Sequence, residues 1–139
     1  MRALDISTSA LVAQRVRLDT ISGNIANMSS LVNEEGKAEP YRARSTVFRT
    51  DDTIKTSSGA SGVRVEEVVI DDRDPLYRYQ PDHPLAAQEG EWKGYVAYPN
   101  IDLTTQMVDA LEATRAYEAN VGVMEISKSL GRETLSIIA

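Results

Sequence analysis

The sequence predicts an α+β fold: long N- and C-terminal helices pairing as a coiled-coil-like hairpin, with a small, irregular β-rich middle segment. Three observations carry this. A proline-free stretch over residues 103–138 is dominated by strong helix formers. A second stretch, from Leu4 to Met28, places apolar residues at seven-residue intervals. Between them, short alternating runs are separated by Gly, Pro and Asp clusters, the pattern of strands and turns. The chain of 139 residues suits one domain. Its parts are an N-terminal helix (1–30), a middle segment (31–100) and a C-terminal helix (101–139).

In the first helix, Leu4, Leu11, Leu18 and Ile25 recur every seven residues. Ile21 and Met28 take the accompanying seam positions, but Ser7 and Gln14 take the earlier ones, so the seam weakens toward the N-terminus. Arg15 and Asp19 form an i,i+4 pair. Residues before about Leu11 are rich in Ser, Thr and Ala and are expected to be poorly ordered in an isolated monomer. Asn24 and Asn27 suit a helix exit, because asparagine tolerates left-handed backbone and bonds its own chain. Ser29 to Pro40 reads as a loop.

Tyr41 to Arg49 alternates and reads as a strand. Asp51 to Gly62 is polar and Ser/Gly-rich, a link. Val63, Val65 and Val68 to Ile70 mark a second strand, broken by Asp71 to Pro75. Tyr77 and Tyr79 start a short third strand. Pro81-Asp82-His83-Pro84 is rigid, Leu85 to Lys93 is a loop, and Gly94 to Asn100 is an extended lead into the last helix.

That last helix is the element around which the chain is organised. Asp102 or Thr104 can cap it, just after Pro99-Asn100. At a rise of 1.5 Å per residue it is about 50 Å long, more than a domain of this size can cover. One stripe runs Leu103, Met107, Ala110, Thr114, Tyr117, Val121, Met124, in steps of four and three. A second runs Ala113, Ala116, Asn120, Val123, Ser127, Leu130, Thr134, Ile137. A surface helix of a monomer needs one stripe, so two imply contact on two sides. The competing reading is a helix buried within its own domain. Ala113, Ala116 and Ala119 keep one face narrow for close approach, and Arg115, Tyr117 and Asn120 add interface-type side chains. The candidate interface is therefore Leu11, Leu18, Ile21, Asn24, Ile25 and Asn27 on the first helix. On the second it is Met107, Leu111, Arg115, Tyr117, Asn120, Val121 and Met124.

Composition excludes several classes. The net charge of −6, with no run of four Lys/Arg, argues against nucleic-acid binding. With 42% apolar residues but one Phe and one Trp, packing falls to Leu, Val, Ile and Ala. The chain has no cysteine, hence no disulfide or thiolate metal site. No apolar run reaches membrane-spanning length, and the N-terminus lacks the apolar core of a cleaved signal peptide. His83 is the single histidine, flanked by prolines, and reads as structural. Asp71, Asp72 and Asp74 lack the Gly and Glu of a Ca²⁺ loop. Gly59 to Gly62 is one residue short of a nucleophile elbow, and no phosphate-cradling loop exists. No cofactor and no enzymatic activity are expected.

Four motifs, in order and spanning nearly the whole chain, resemble one known family. They are Ser22-Gly23-Asn24-Ile25-Ala26-Asn27; Pro40-Tyr41-Arg42-Ala43 followed by Val47-Phe48; Gly94-Tyr95-Val96 with Pro99-Asn100; and Met107-Val108 with Thr114-Arg115-Ala116-Tyr117-Glu118-Ala119-Asn120-Val121. The chain resembles the flagellar basal-body rod proteins, most closely those of the proximal rod. It departs from the family pattern at Met28-Ser29-Ser30, at Glu118, and in a longer loop from Ala87 to Lys93 around Trp92. The resemblance implies a structural rod subunit, exported unfolded by the flagellar type III apparatus through an uncleaved N-terminal region. It would assemble in the periplasm with other rod subunits and with ring or adaptor proteins of the basal body. The alternative is a soluble helical-hairpin adaptor or chaperone acting as a discrete dimer.

Overall fold

A computed structural model describes residues 2–138. In chain order the elements are α1 (Arg2–Ala26), β1 (Arg44–Lys55), β2 (Ser61–Ile70), β3 (Leu76–Tyr79), β4 (Tyr95–Tyr98) and α2 (Leu103–Ile138). The α+β class and the two terminal helices are as expected. β1 and β2 form one antiparallel pair, and β3 and β4 form another.

The organising element is α1, not α2. α1 packs against α2 and against both strands of the β1–β2 hairpin, whereas α2 packs against α1 alone among these elements. The helices run antiparallel. Asn24 meets Gln106 at one end, Arg17 lies 3.7 Å from Glu112, and Ala3 and Leu4 lie beside Leu130 and Gly131 at the other. Arg17 and Glu112 are partly solvated, so their attraction adds little. The fully buried residues of the two helices are mostly small or polar, while Leu11, Leu18, Ile25, Val121 and Met124 are half-buried. Ser7, Ala13, Ile21, Asn24 and Ala113 are buried, and the Gln14 Oε1 atom is buried without a hydrogen-bond partner.

The N-terminal segment is helical from Arg2. The β1–β2 hairpin explains this. Ser9 Oγ accepts a hydrogen bond from the Val63 amide at 3.1 Å and donates to Ile6 O at 2.6 Å, tying the early turns to β2. The approach is close because position 62 is glycine: a Cβ there would sit 3.0 Å from Ser9 Oγ and 3.2 Å from Ile54 Cβ.

The polar link expected over residues 51–62 is mostly strand. β1 runs on to Lys55, and only residues 56–60 turn, held by Thr56 N–H to Ala60 O at 2.8 Å and Gly59 N–H to Thr56 O at 3.0 Å. This arm is largely exposed, so its side chains need not be apolar and alternation fails as a signal. A register shift between Val47 and Phe48 leaves Glu66 without a cross-strand partner. It contacts Arg49 at 2.8 Å, offsetting the repulsion of Arg49 directly opposite Arg64. β1 also begins later than expected, at Arg44.

Residues Tyr95–Tyr98, read as an extended lead, pair with Leu76–Tyr79. Val96 and Ala86 form a small second core here. The loop between these strands folds back on itself through Ala87 N–H to Tyr95 O and Gly94 N–H to Ala87 O. Trp92 stacks on Tyr77 with ring centroids 3.9 Å apart and planes 4° from parallel. After β4, Asp102 caps α2: Oδ1 accepts from Thr104 N–H at 3.1 Å and Oδ2 from Thr105 Oγ1 at 2.8 Å.

Two substitutions test this architecture. Asn24→Ala leaves the part-buried backbone N–H and C=O of Arg44 without their side-chain partner, at a cost of about 2 kcal/mol. The thermal midpoint should fall by about 6 °C, read by far-ultraviolet circular dichroism. Gly94 has φ +82°, and a Cβ there would meet Tyr79 Cε2 at 2.9 Å. Gly94→Ala should therefore destabilise the β3–β4 unit by at least about 1 kcal/mol, and an unchanged denaturation midpoint would contradict this packing.

Candidate functional site

The surface with the strongest functional character is the outer face of α2. Met107 is 59% exposed, Leu111 51%, Ile126 62% and Ile137 85%, and Val108, Val123 and Leu130 are also exposed. By contrast, the buried apolar residues are Ala13, Ile21, Ala86, Val96 and Ala113. Burial of apolar area normally drives folding at about 25 cal/mol per Å². Here much of the large apolar surface of α2 faces outward, forming an extended strip of the kind that marks an interface.

The sequence-predicted interface residues divide into two sets. Ile21 and Asn24 are buried inside the subunit, Asn24 donating to Arg44 O at 2.8 Å and to Gln106 Oε1 at 3.0 Å. Leu11, Leu18, Ile25 and Asn27 are half-buried. Asn27 Nδ2 donates to Gly23 O at 2.8 Å and so serves the last turn of its own helix. The contact surface of α1 is thus directed largely at α2 and the hairpin. On α2, Met107, Leu111, Arg115 and Tyr117 are exposed, while Asn120, Val121 and Met124 are half-buried. Asn120 Nδ2 donates to Ala116 O at 2.8 Å, again within its own helix.

The two stripes read along α2 do not coincide with its two faces. The first passes from exposed Leu103 and Met107 to half-buried Val121 and Met124. The second passes from buried Ala113 to exposed Leu130, Thr134 and Ile137. A straight α-helix drifts by about 20° per heptad against a 3.5-residue repeat, so each stripe migrates around the cylinder. The inward face comprises Gln106, Ala113, Asn120, Met124, Ser127 and Gly131. Val108 and Ile126 are outward residues that the seven-residue reading missed, and a search at a period near 3.6 would have found them.

Among the described residues there is no cluster of three or more His, Asp or Glu able to hold a metal ion, and no helix is long and apolar enough to cross a membrane. His83 Nδ1 accepts the Leu85 amide at 3.0 Å, a turn-closing role. A cleft where α1, β1 and α2 meet is lined by Thr20, Arg44, Ser45, Thr46, Gln106 and Asp109. Asp71 accepts the Arg73 amide at 3.1 Å and its Nε at 2.7 Å, and these contacts, with nearby Arg42, hold its carboxyl below the ordinary value. That stabilises the turn after β2 above the unfolded carboxylate range and is lost as pH falls through the lowered value. His83→Ala should loosen the turn at Leu85 and leave helical content unchanged by far-ultraviolet circular dichroism; a loss of helix would show a role beyond the turn.

Two family models and several known proteins match the chain. Residues 4–30 match the family model described as flagella basal body rod protein, and residues 93–137 match that described as flagellar basal body rod FlgEFG protein C-terminal. These segments cover α1 and the β4–α2 region. The chain is 38% identical to flagellar basal-body rod protein FlgC of Yersinia enterocolitica, over 99% of this chain and 96% of that protein. It is 36% identical to FlgC of Borreliella burgdorferi, over 98% and 95%. It is 35% identical to FlgC of Bacillus subtilis, over 97% and 95%. With near-complete coverage at this identity, and with both terminal helices matched, this chain belongs to the FlgC family of flagellar basal-body rod proteins.

Proposed function

We propose that this chain is a structural subunit of the proximal part of the rod, joined to its neighbours through the outer face of α2. The observation that carries the interface is the exposure of Met107, Leu111 and the apolar residues that follow them, on a helix whose inner face is already occupied by α1. A rod is a helical array, so each subunit presents two different surfaces to its neighbours. The outer face of α2 supplies one. The exposed edge and outer side of the β1–β2 hairpin, where Val68, Val69 and Ile70 reach solvent, supply a candidate for the other.

On this reading the protein is not an enzyme. It leaves the cytoplasm through the flagellar type III export apparatus, with α1 as its uncleaved leading region, and assembles in the periplasm. Its partners are other rod subunits and the ring or adaptor proteins around the rod base. The weak α1–α2 seam suits export. A hairpin joined by small and polar groups opens at less cost than one joined by large apolar residues. Rod assembly would then bury the apolar face that the isolated subunit leaves in water.

Leu111→Asp tests the interface with little risk to the fold, because Leu111 is 51% exposed in the subunit. Helical content should be unchanged, whereas burying the carboxylate against a neighbour costs several kcal/mol and should abolish rod assembly and swimming. Normal swimming by cells carrying only this variant would overturn the outer face of α2 as an assembly surface.

A further inference from the structure

The β3–β4 unit holds a cavity that its own fold does not fill. β3 and β4 pack on each other and on no other named helix or strand. Beside them lies a cavity of about 140 Å³ whose lining is wholly apolar or aromatic. Its walls come from separate segments: Leu31 from the loop after α1, Tyr77 from β3, Leu85 and Trp92 from the loop between the strands, and Tyr95 and Val96 from β4. Val96 is fully buried, while Leu31 and Leu85 are half-buried. An apolar cavity of about 150 Å³ stays dry and takes a benzene-sized group, so this one has room for a single large apolar side chain.

Trp92 is the second observation. Its ring lies flat on Tyr77 and edge-on to Tyr95, yet it is 41% exposed. The loop that presents it is held in place although residues 88–93 are all exposed. Gly90 turns it with φ +90°, and it closes through Lys93 N–H to Gly90 O at 3.3 Å and Tyr95 N–H to Trp92 O at 2.9 Å. A large aromatic ring fixed at the surface suits a binding hot spot, because little side-chain freedom is lost on contact. Charge is the third observation. Between residues 80 and 94, Asp82, Glu89 and Glu91 are balanced only by Lys93. Glu89 and Glu91 stand between the lining residues Ala87 and Trp92, at the rim of the cavity, and neither takes part in an ion pair among the described residues.

We infer that this cavity receives one large apolar side chain of a neighbouring protein, on a segment that carries arginine or lysine beside that anchor. The anchor fills the apolar space against Tyr77, Leu85 and Trp92. The basic group beside it meets the carboxylates of Glu89 and Glu91 and the π face of Trp92, and arginine satisfies both, since its guanidinium stacks on an aromatic ring and bonds a carboxylate at once. Sites for small molecules place orienting polar groups among the apolar ones. Here the charged groups lie only at the rim, the arrangement of a protein contact with an apolar centre and a polar edge. The surface belongs to the middle segment and is separate from the outer face of α2. It holds whatever the assembly in which the chain serves, so it does not depend on the rod assignment.

The test is photo-crosslinking in cells that make the full chain with benzoylphenylalanine in place of Gln88, an exposed residue of the rim. An adduct with a protein is expected, and the partner's crosslinked peptide should carry Leu, Ile, Met or Phe next to, or one removed from, Arg or Lys. The same probe at Ser58, on the exposed turn of the β1–β2 hairpin, should not give that adduct. Glu89→Lys and Glu91→Lys together should lower its yield at least about tenfold, with the amount of chain in the cell unchanged. Ala38 is exposed and lines the cavity, so Ala38→Phe fills the space and should remove the adduct. No adduct at position 88, an adduct with a peptide lacking the apolar and basic pair, an adduct with glycan or lipid, or a yield indifferent to the substitutions would each overturn the proposal. Loss of swimming in Leu111→Asp without this adduct would leave the rod reading standing and remove this one; the mapped adduct with normal swimming in Leu111→Asp would do the reverse.

Discussion

Asn24 is the point on which the arrangement of helices and strands depends. Its carboxamide accepts from the Arg44 amide at 2.8 Å, donates to the Arg44 carbonyl at 2.8 Å, and donates to Gln106 Oε1 at 3.0 Å. One buried side chain thus joins the end of α1, the start of β1 and the first turn of α2. Each bond contributes modestly, but leaving the buried groups unpaired is expensive, so the geometry is strongly specified. Specification by polar contact matters here because apolar burial is sparse. An apolar core can form in several packings of similar energy, whereas three directional bonds from one amide accept few.

The middle layer follows from that constraint. α1 must approach the hairpin on one side and α2 on the other, and it does so with small residues. Ser9 and Gly62 bring α1 onto β2, and Ala113, fully buried on α2, narrows its contact with α1. Close approach leaves little room for large side chains between the helices, and the large side chains of α2 consequently point away. The subunit has placed its bulk apolar residues where a neighbour can reach them and its small residues where it must hold itself together. Gln14, whose buried oxygen lacks a partner, fits the same picture of a seam that is sufficient rather than tight.

Much of this was legible in the sequence. Helix-forming composition and recurrent apolar positions located both helices, and Asp102, one of two cap candidates after Pro99-Asn100, is the cap. The strands were harder. Asp51, Asp52 and Thr53 look like a linker because nothing covers that arm of the hairpin, so no alternation is imposed on it. Tyr95 to Tyr98 gave no sign of its partner, since pairing with residues about twenty positions earlier depends on the intervening loop. The contact of Ser9 in the early turns of α1 with Val63 is long-range, and local propensity cannot report it. On the candidate interface, Met107, Leu111, Arg115 and Tyr117 lie on exposed surface, whereas Ile21 and Asn24 are interior. Apolar or amide character alone does not distinguish a subunit's own seam from the face it offers to another. Seven-residue counting blurred the faces of α2 further, because the helix is too long for that period to stay in phase.

The stack of Trp92 on Tyr77 has a practical consequence. Trp92 is the single tryptophan of the chain, and it packs on Tyr77 and Tyr95 of the β3–β4 unit. Its emission therefore senses whether the folded-back loop is closed, while backbone circular dichroism is dominated by α1 and α2. The protein carries two optical signals that belong to separate parts of its structure. Unfolding followed by both will reveal whether the middle segment and the helical hairpin melt as one cooperative unit or as two.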